Sequence, residues 1–549
     1  MSPLEGYYRP IWEIASPQQV PHHWSIRSKV VRTIHNLALI VYVIDPCSAG
    51  ENWIEVLPED VLLVIFDFYR LYSTKKSRRR PWKWHRLAHV CRKWRHVISR
   101  STRRLGLQIL CECTAPIGDI LDSWPTLPLV VKFWAGKPLR RRVRRAGFKF
   151  GNLMIALRYP DRLYEIDLHV TSSMLASIIE VTQKPCQVLE IIRITVKAPT
   201  SSSILDCSAF LGGSAPHLRE IKLDGVPLPF TQIRQVLLST NDLVELHLAN
   251  IPNDVCFSPS DLVTGLSTSA QLKRLTVDFH SPPFSPPPSM THSPPRSTTL
   301  PSLMFLDFHG ASEFMEEFVG RIELPALCNI AVRLFNDMLF EIPQFCRFIP
   351  CLNALRPPAR VIVIHSVDSV GVYFEAEEHP SENCFFGTSC RQLDWQLSFV
   401  TQILSQLSSL LSGVHSLDIR SDELPTGEED VDSTQWLELL QPFTHVTEVH
   451  VREELVPGIV QALAGEDMTA EVLPELSWLR LDRYRSSPSV MKAAGQFVAT
   501  RKLSGRPIFL SSGSEVSHFL LPYYTLVNLS LTGSRAGRSR RSRCSRRLG

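Results

Sequence analysis

The sequence predicts a mixed α/β protein, in which a small helical module is followed by an irregular solenoid built from strand-plus-helix repeats. Two amphipathic helical patterns lie within residues 51–105, and a short apolar pattern recurs every 24–31 residues from about residue 150 onward. Hydrophobic residues (44%) and charged residues (21%) have the balance of an ordinary globular chain. With 549 residues, the chain is too long for one ordinary core, which favours several domains or a long repeat array.

The first helical pattern follows Pro58. Apolar residues recur on one helical face, at Val61, Leu62, Ile65, Phe66 and Tyr69. Pro58 suits the first position of a helix, and the carboxylates of Glu59 and Asp60 complement the positive end of the helix dipole. We therefore expect a helix that begins at Pro58.

The second helical pattern follows Pro81 and recurs at intervals of three and four residues. Its apolar members are Trp84, Leu87, Cys91, Trp94 and Ile98. Proline again suits the first turn, so one helix is expected over this stretch. Residues 73–80, which join the two patterns, are basic, and we expect them to form an exposed loop.

The repeat consists of an apolar residue, two variable residues, a second apolar residue, one variable residue and a third apolar residue. Consecutive copies begin at Leu163, Leu189, Leu218, Leu243, Leu272, Leu303 and Leu327, and later copies begin at Val414, Val446, Leu476 and Leu526. The spacing lies within the range of leucine-rich repeats. A mixed α/β domain with several short strands is the alternative interpretation.

Prolines and polar residues indicate how each repeat is built. Pro216, Pro301, Pro325 and Pro474 each lie two residues before the leading leucine, where proline ends one element and leads into an extended segment. Residues between the apolar positions should point outward, and examples are Arg219, Glu220, Lys222, Glu245 and His247. Stacked strands would form an extended polar surface suited to binding a protein. Segments 229–239 and 456–463 should be helices on the other face.

These patterns divide the chain into five segments. We assign 1–50 to a partly disordered N-terminal extension, 51–105 to the helical module, 106–150 to a connection, 151–532 to the repeat array and 533–549 to an Arg-rich disordered tail. The array carries a proline-rich insertion at 281–299, which is a loop or a polyproline segment. Whether residues 335–410 continue the array or form an insertion is open at this point.

Two stretches of the helical module resemble the F-box family. The matching features are the leading Leu57-Pro58, Ile65-Phe66 about two turns further on, and Val90-Cys91 followed by Trp94. The resemblance covers about fifty residues, and the remainder is similar to the repeat-bearing F-box proteins that fungi, including basidiomycetes, carry in large numbers. The resemblance implies a module that binds a Skp-type adaptor, which joins it to a cullin scaffold in a ubiquitin ligase. The repeats would then bind a target protein, which no motif identifies.

The resemblance also implies which residues contact the adaptor. They are Leu57, Pro58, Val61, Leu62, Ile65, Phe66, Leu87, Val90, Cys91 and Trp94. Two roles are open for Trp94, since a tryptophan can anchor an interface or can pack against Ile65 or Phe66 inside the module.

No catalytic motif is present. We find no P-loop, GxGxxG, GxSxG or HExxH pattern and no CxxC pair, so we expect no catalytic, cofactor-binding or metal-binding residues and no enzyme. The 13 cysteines are expected to be reduced and mostly buried.

Basic segments support an alternative interpretation, in which the chain is a nuclear or nucleic-acid-associated protein or a repeat scaffold outside any ligase. They are residues 75–80, 140–145 and the tail. Each is equally explained by a solvated stretch or a nuclear-import signal, and we do not expect nucleic acid to be the partner. The apolar stretch at 37–44 is too short to span a bilayer, and no secretory signal precedes it. We therefore expect no membrane association and a cytoplasmic or nuclear location.

Overall fold

A computed structural model of the chain describes residues 57–76, 85–101, 105, 107–111, 117–124, 126–135, 146–197, 209–281, 297–335, 342–352, 356–377, 383–390, 392–421, 433–452, 455–463, 472–482 and 488–512. The N-terminal extension, the repeat copy beginning at Leu526 and the Arg-rich tail lie outside these residues. The chain divides into two compact units, Met1–Val255 and Cys256–Gly549. Both are mixed α/β, and most of their strands are parallel to their neighbours.

The helical module belongs to the first unit. Its helices are α1 Glu59–Lys76, α2 His85–Ala88 and α3 Arg92–Arg100. Because α1 begins at Glu59, Pro58 precedes the helix instead of taking its first position. The prediction of an exposed loop at 73–80 is wrong for residues 73–76, which belong to α1, and residues 77–84 lie outside the described part.

The prediction of one helix after Pro81 is also wrong, because the stretch is divided into α2 and α3. The chain leaves the helical conformation before α3, where Cys91 has an extended backbone (φ −155°, ψ 173°). Its Sγ accepts a hydrogen bond from Trp94 N at 3.5 Å and so caps α3. Leu87 on α2 and Ile98 on α3 are both buried. The apolar spacing is therefore kept on both sides of the break, and the sequence pattern does not reveal it.

The described strands of the first unit form a parallel sheet, ordered as in the chain. They are β1 Ile109–Cys111, β2 Leu129–Trp134, β3 Leu163–Val170, β4 Ile191–Val196, β5 Glu220–Asp224 and β6 Glu245–Ile251. Helices of this unit that lie between them in sequence are α4 Ile117–Ser123, α5 Ala146–Leu157, α6 Ser172–Val181 and α7 Phe230–Ser239. The sheet already begins at Ile109, within the segment that the sequence assigned to a connection.

Strands β3 to β6 alternate buried apolar residues with half-buried polar ones. In register, Ile166 pairs with Ile192, Ile192 with Ile221, and Ile221 with Leu246. All four side chains are buried. Successive side chains of a strand point to opposite faces, so the polar residues share the other face of the sheet. The buried residues of neighbouring strands therefore form one continuous apolar face.

Prolines start four of the turns that lead into strands. They are Pro216, Pro301, Pro325 and Pro474. Each takes the second position of a four-residue turn, which the leading leucine closes by donating its N–H to the residue before the proline. Leu218 N, for example, donates to Ala215 O at 3.2 Å. The fixed φ of proline suits this position, so these prolines set the direction in which the chain enters the strand.

The second unit contains a larger sheet. Its described strands, in order across the sheet, are β7 Arg274–Phe279, β9 Phe305–Gly310, β11 Asn329–Leu334, β14 Asn383–Thr388, β13 Val370–Glu375, β12 Arg360–His365, β15 Ser416–Ser421, β16 Glu448–Arg452, β17 Trp478–Asp482 and β18 Phe509–Ser512. The described helices are α8 Pro259–Leu266, α9 Ser312–Val319, α10 Pro343–Phe348, α11 Leu393–Gln406, α12 Ser408–Leu411, α13 Ser433–Leu440, α14 Val456–Leu463 and α15 Pro488–Leu503. The helices expected at 229–239 and 456–463 are thus confirmed as α7 and α14.

Two further strands pair apart from this sheet. β8 Thr298–Thr299 and β10 Ile322–Glu323 are parallel to each other. The proline-rich insertion assigned to 281–299 therefore extends too far, because its last two residues belong to a strand.

Residues 335–410, whose place the sequence left open, contribute strands to the larger sheet. β12 and β13 form a hairpin, in which Ser366 N donates to Ser369 O at 2.8 Å. β14 then pairs antiparallel with β13 and parallel with β11. A single antiparallel strand, β13, therefore interrupts an otherwise parallel run. None of the helices within the described ranges combines the length and apolar character needed to cross a membrane.

Candidate functional site

The residues implied to contact an adaptor lie on or beside α1, α2 and α3, and they differ in accessibility. Leu62, Phe66 and Leu87 are buried, at 0%, 2% and 8% exposure, and so belong to the core of the module. Pro58 and Val90 are exposed. The half-buried members are Leu57, Val61, Ile65, Cys91 and Trp94.

Contacts between α1 and α3 hold the module together. The ring of Trp94 packs against the ring of Phe66, with centroids 4.9 Å apart. Lys93 Nζ donates a hydrogen bond to the carbonyl of Leu57 at 2.8 Å, across 36 residues of sequence. Arg95 Nε donates to Ala88 O at 3.0 Å and so ties α3 to α2. The two stretches that carry the sequence signature are therefore brought together.

Exposed apolar side chains remain on this module. Val64 on α1 is 46% exposed and Val90 before α3 is 47% exposed. Sequence reasoning missed Val64 because the helical period identifies the buried face, and Val64 lies off that face. The available signal was an apolar residue at a position that the amphipathic pattern predicts to be polar. Single exposed apolar residues are common on protein surfaces, so it is their place on the module with the sequence signature that makes these two candidates for contact with another protein.

The polar face of the first unit's sheet carries a continuous series of ion pairs, which we call the charge ladder. Lys132 Nζ lies 2.6 Å from Glu165 Oε1, and Arg193 Nη1 lies 3.1 Å from the same oxygen. Arg193 also binds Glu220 with two nitrogens, each at 2.6 Å. Lys222 Nζ then contacts Glu220 Oε1 at 3.1 Å and Glu245 Oε1 at 2.9 Å. The ladder crosses five strands, from β2 to β6.

Electrostatics within the ladder favour the charged forms of Arg193 and Glu220. Burial of the Glu220 carboxyl disfavours its charge, but hydrogen bonds from Arg193 and Lys222 outweigh this and lower its pKa. The hydrogen bond to Glu220 is the main cause that raises the pKa of Arg193. The outward orientation expected for Glu220, Lys222 and Glu245 is confirmed, although these side chains form ion pairs mostly within the ladder. The face is thus a polar surface patterned by ion pairs.

Most of the described cysteines lie in the core, whereas Cys91, Cys256 and Cys346 are half-buried. Cys111, Cys186, Cys328, Cys384 and Cys390 are buried. Burial raises the pKa of Cys186 and of Cys346 to about 12. Such thiols stay protonated at neutral pH and are poor nucleophiles. In the part of the chain that the structure describes, no group of three or more His, Cys, Asp or Glu side chains is placed to hold a metal ion.

The basic segments contribute little to the described surface. Residues 75–76 lie on α1, whereas 77–80, 140–145 and the Arg-rich tail fall outside the described residues. Neither a family model nor a curated protein sequence matches the chain.

Proposed function

We propose that the chain is a non-enzymatic F-box-type adaptor of a cullin-based ubiquitin ligase. In this proposal residues 57–100 dock a Skp-type adaptor, and the repeat array, a leucine-rich-repeat-like solenoid, binds a target protein. The observation that carries the proposal is that the two stretches of the signature meet in one module, through Phe66 and Trp94. Val64 and Val90 supply exposed apolar side chains on that module.

The polar faces of the sheets support the target-binding part of the proposal. Parallel strands in register place polar side chains in rows, and such rows form extended surfaces suited to protein recognition. Arg193 and Glu220 belong to such a row, with well-defined geometry. Ubiquitin transfer would occur on other subunits, which agrees with a chain whose sequence carries no catalytic motif.

The test uses full-length chain and a purified Skp-type adaptor with its cullin. The double variant Val64→Asp, Val90→Asp places charges on the exposed apolar positions and leaves Leu62 and Phe66 in the core. The matched control is Leu238→Asp, since Leu238 is also an exposed apolar residue, at 42% exposure, and lies on a helix far along the chain. We expect wild type and control to retain the adaptor in a pull-down and the double variant to lose it.

Two outcomes would count against the proposal. One is that folded wild-type chain retains no adaptor, and the other is that the double variant retains as much as wild type. The chain would then be treated as a repeat scaffold that acts outside a ligase.

A further inference from the structure

A pair of facing glycines clears space on the polar face of the second unit's sheet, where β13 interrupts the parallel run. Gly371 on β13 and Gly387 on β14 are direct cross-strand partners. A Cβ atom on Gly371 would lie 2.6 Å from Phe385 Cε2, and one on Gly387 would lie 2.8 Å from Phe385 Cζ. Real Cβ atoms do not approach other atoms so closely. The ring of Phe385 can therefore lie over these two backbone positions only because both residues are glycine.

Tyr373 completes an aromatic pair on this face. It is the cross-strand partner of Phe385, and the two ring centroids are 4.4 Å apart. Both side chains are half-buried. The guanidinium of Arg333 lies 5.5 Å from the centroid of Phe385, which shows that this ring already accepts a cation. Aromatic faces attract cations through the quadrupole of the ring.

Glu375 lies two residues along β13 from Tyr373, on the same face of the strand. Its carboxyl is half-buried and, among the described side chains, forms no hydrogen bond and no ion pair within 4 Å. Its cross-strand partner Arg360 turns away, because Arg360 Nη2 donates to Asp418 Oδ2 at 2.6 Å. Arg420 donates to the same oxygen of Asp418. Both nearby guanidinium groups are therefore directed to Asp418 and leave Glu375 without a cation in contact.

The setting of Glu375 disfavours the charge of its carboxyl group. Burial raises the pKa of Glu375, and the positive charges of Arg360 and Arg420 only partly oppose this. Carboxyl groups whose pKa is shifted by burial are found often at functional sites. Arg360 and Arg420 act on the carboxylate from a distance, but among the described side chains no cation is in direct contact with it, and the two rings beside it suit one.

We propose that Glu375, Tyr373 and Phe385 form a receptor site for a lysine or arginine side chain of a partner protein. The cation would meet the Glu375 carboxylate and lie against the ring faces. This deepens the target-binding role proposed for the array and rests on it, but it does not depend on docking of a Skp-type adaptor. Failure of the adaptor pull-down and failure of cation binding would therefore be separate results.

The experiment titrates N-acetyl-arginine methylamide into full-length chain and follows saturation-transfer-difference NMR. The uncharged isostere N-acetyl-citrulline methylamide is the ligand control, and the lysine analogue shows which cation the site prefers. We expect the arginine probe to bind about tenfold more tightly than the citrulline probe, as for a charge-assisted hydrogen bond combined with a cation–π contact.

Glu375→Gln should remove that preference and yet leave thermal stability equal or higher, because burial disfavours the charge that it removes. The matched control is Glu377→Gln, an exposed carboxylate two residues further on. Gly371→Ala, which displaces the Phe385 ring, should also weaken binding, and Phe385→Leu tests the ring if the alanine variant does not fold. Equal binding of arginine and citrulline probes, or unchanged binding by Glu375→Gln, would overturn the proposal.

Discussion

The ring of Trp94 packs edge-on against the ring of Phe66, with planes inclined by 67° and Phe66 almost fully buried. The sequence left two roles open for Trp94, an interface anchor or a packing residue. The structure gives it a packing role between α3 and α1, and an additional contact with an adaptor stays a prediction. Removing the indole should therefore loosen the module even when no partner is present.

Trp94→Ala should destabilise the helical module by about 2 kcal/mol, less than for a fully buried aromatic residue because Trp94 is half-buried. Hydrogen exchange of α1 and α3 in the full chain measures this directly, since the rest of the chain need not unfold with the module. Exchange there should accelerate at least tenfold. Val64→Asp, at an exposed position of α1, is the control and should leave exchange unchanged; equal rates for Trp94→Ala and wild type would contradict the packing role.

Gly212→Ala should destabilise the first unit strongly. Gly212 has a φ of +58°, and a Cβ there would lie 2.4 Å from the backbone nitrogen of Pro185. Backbone atoms cannot move aside as a side-chain end can, so we expect a loss of about 3 kcal/mol or more, seen as a lower unfolding temperature. Gly151→Ala is the matched control, because Gly151 lies in α5 and a methyl group added to it would meet no atom within 4 Å; alanine there should be neutral or stabilising. Equal temperatures for both variants would refute the argument.

Strand positions were predictable because the repeat is a local signal. The copies beginning at Leu163, Leu218 and Leu303 each lead into a strand, since their spacing makes alternate residues buried. The prolines also helped to locate the strands, because the fixed φ of proline suits the second position of a turn, which is a local property. Interior and surface were therefore correctly separated in β3, β4 and β5, whereas the variable residues Thr276 of β7 and Asp418 of β15 are buried.

Strand order and helix breaks were not predictable, because they depend on contacts that are distant in sequence. Nothing local to β14 shows that it pairs with β11 across about 50 residues, or that β13 lies between β14 and β12. The break before α3 escaped prediction because Cys91 fits the helical period and is also able to cap a helix. The aromatic pair and Glu375 were missed because strand pairing could not be predicted: Tyr373 and Phe385 meet only through the pairing of β13 with β14.

The bidentate pair of the charge ladder should show measurable coupling. In a double-mutant cycle with Arg193→Met and Glu220→Gln, we expect about 1 kcal/mol of coupling, because the pair is only partly buried and solvent screens it. Urea unfolding of the full chain provides the free energies. The control cycle uses His217 and Asp242, which lie 3.8 Å apart with side chains 65% and 59% exposed, and it should give no measurable coupling. Equal values for both cycles would show that the ladder geometry adds no stability.

His365 should make the second unit sensitive to mild acid. Its ring is fully buried, Nδ1 lies 3.0 Å from Gln396 Oε1, and the ring of Trp436 packs against it. Gln396 uses its amide nitrogen to donate to the carbonyls of Ser366 and Cys390, so its oxygen faces the ring and Nδ1 must be the donor.

Burial lowers the pKa of His365 to about 4, with the hydrogen bond to Gln396 acting in the opposite direction. His365 therefore binds a proton less readily in the folded state than in the unfolded state. Its titration leaves the free energy of unfolding unchanged above about pH 6.5 and lowers it progressively as pH falls toward 4. The total loss should be on the order of 3 kcal/mol at about 1.4 kcal/mol per pH unit. Urea unfolding of wild type and His365→Gln between pH 7 and pH 4.5 isolates this residue, because all other titrating groups are shared. The wild type should lose roughly 2–3 kcal/mol more than the variant over that range, and parallel pH curves would show that His365 is not the group responsible.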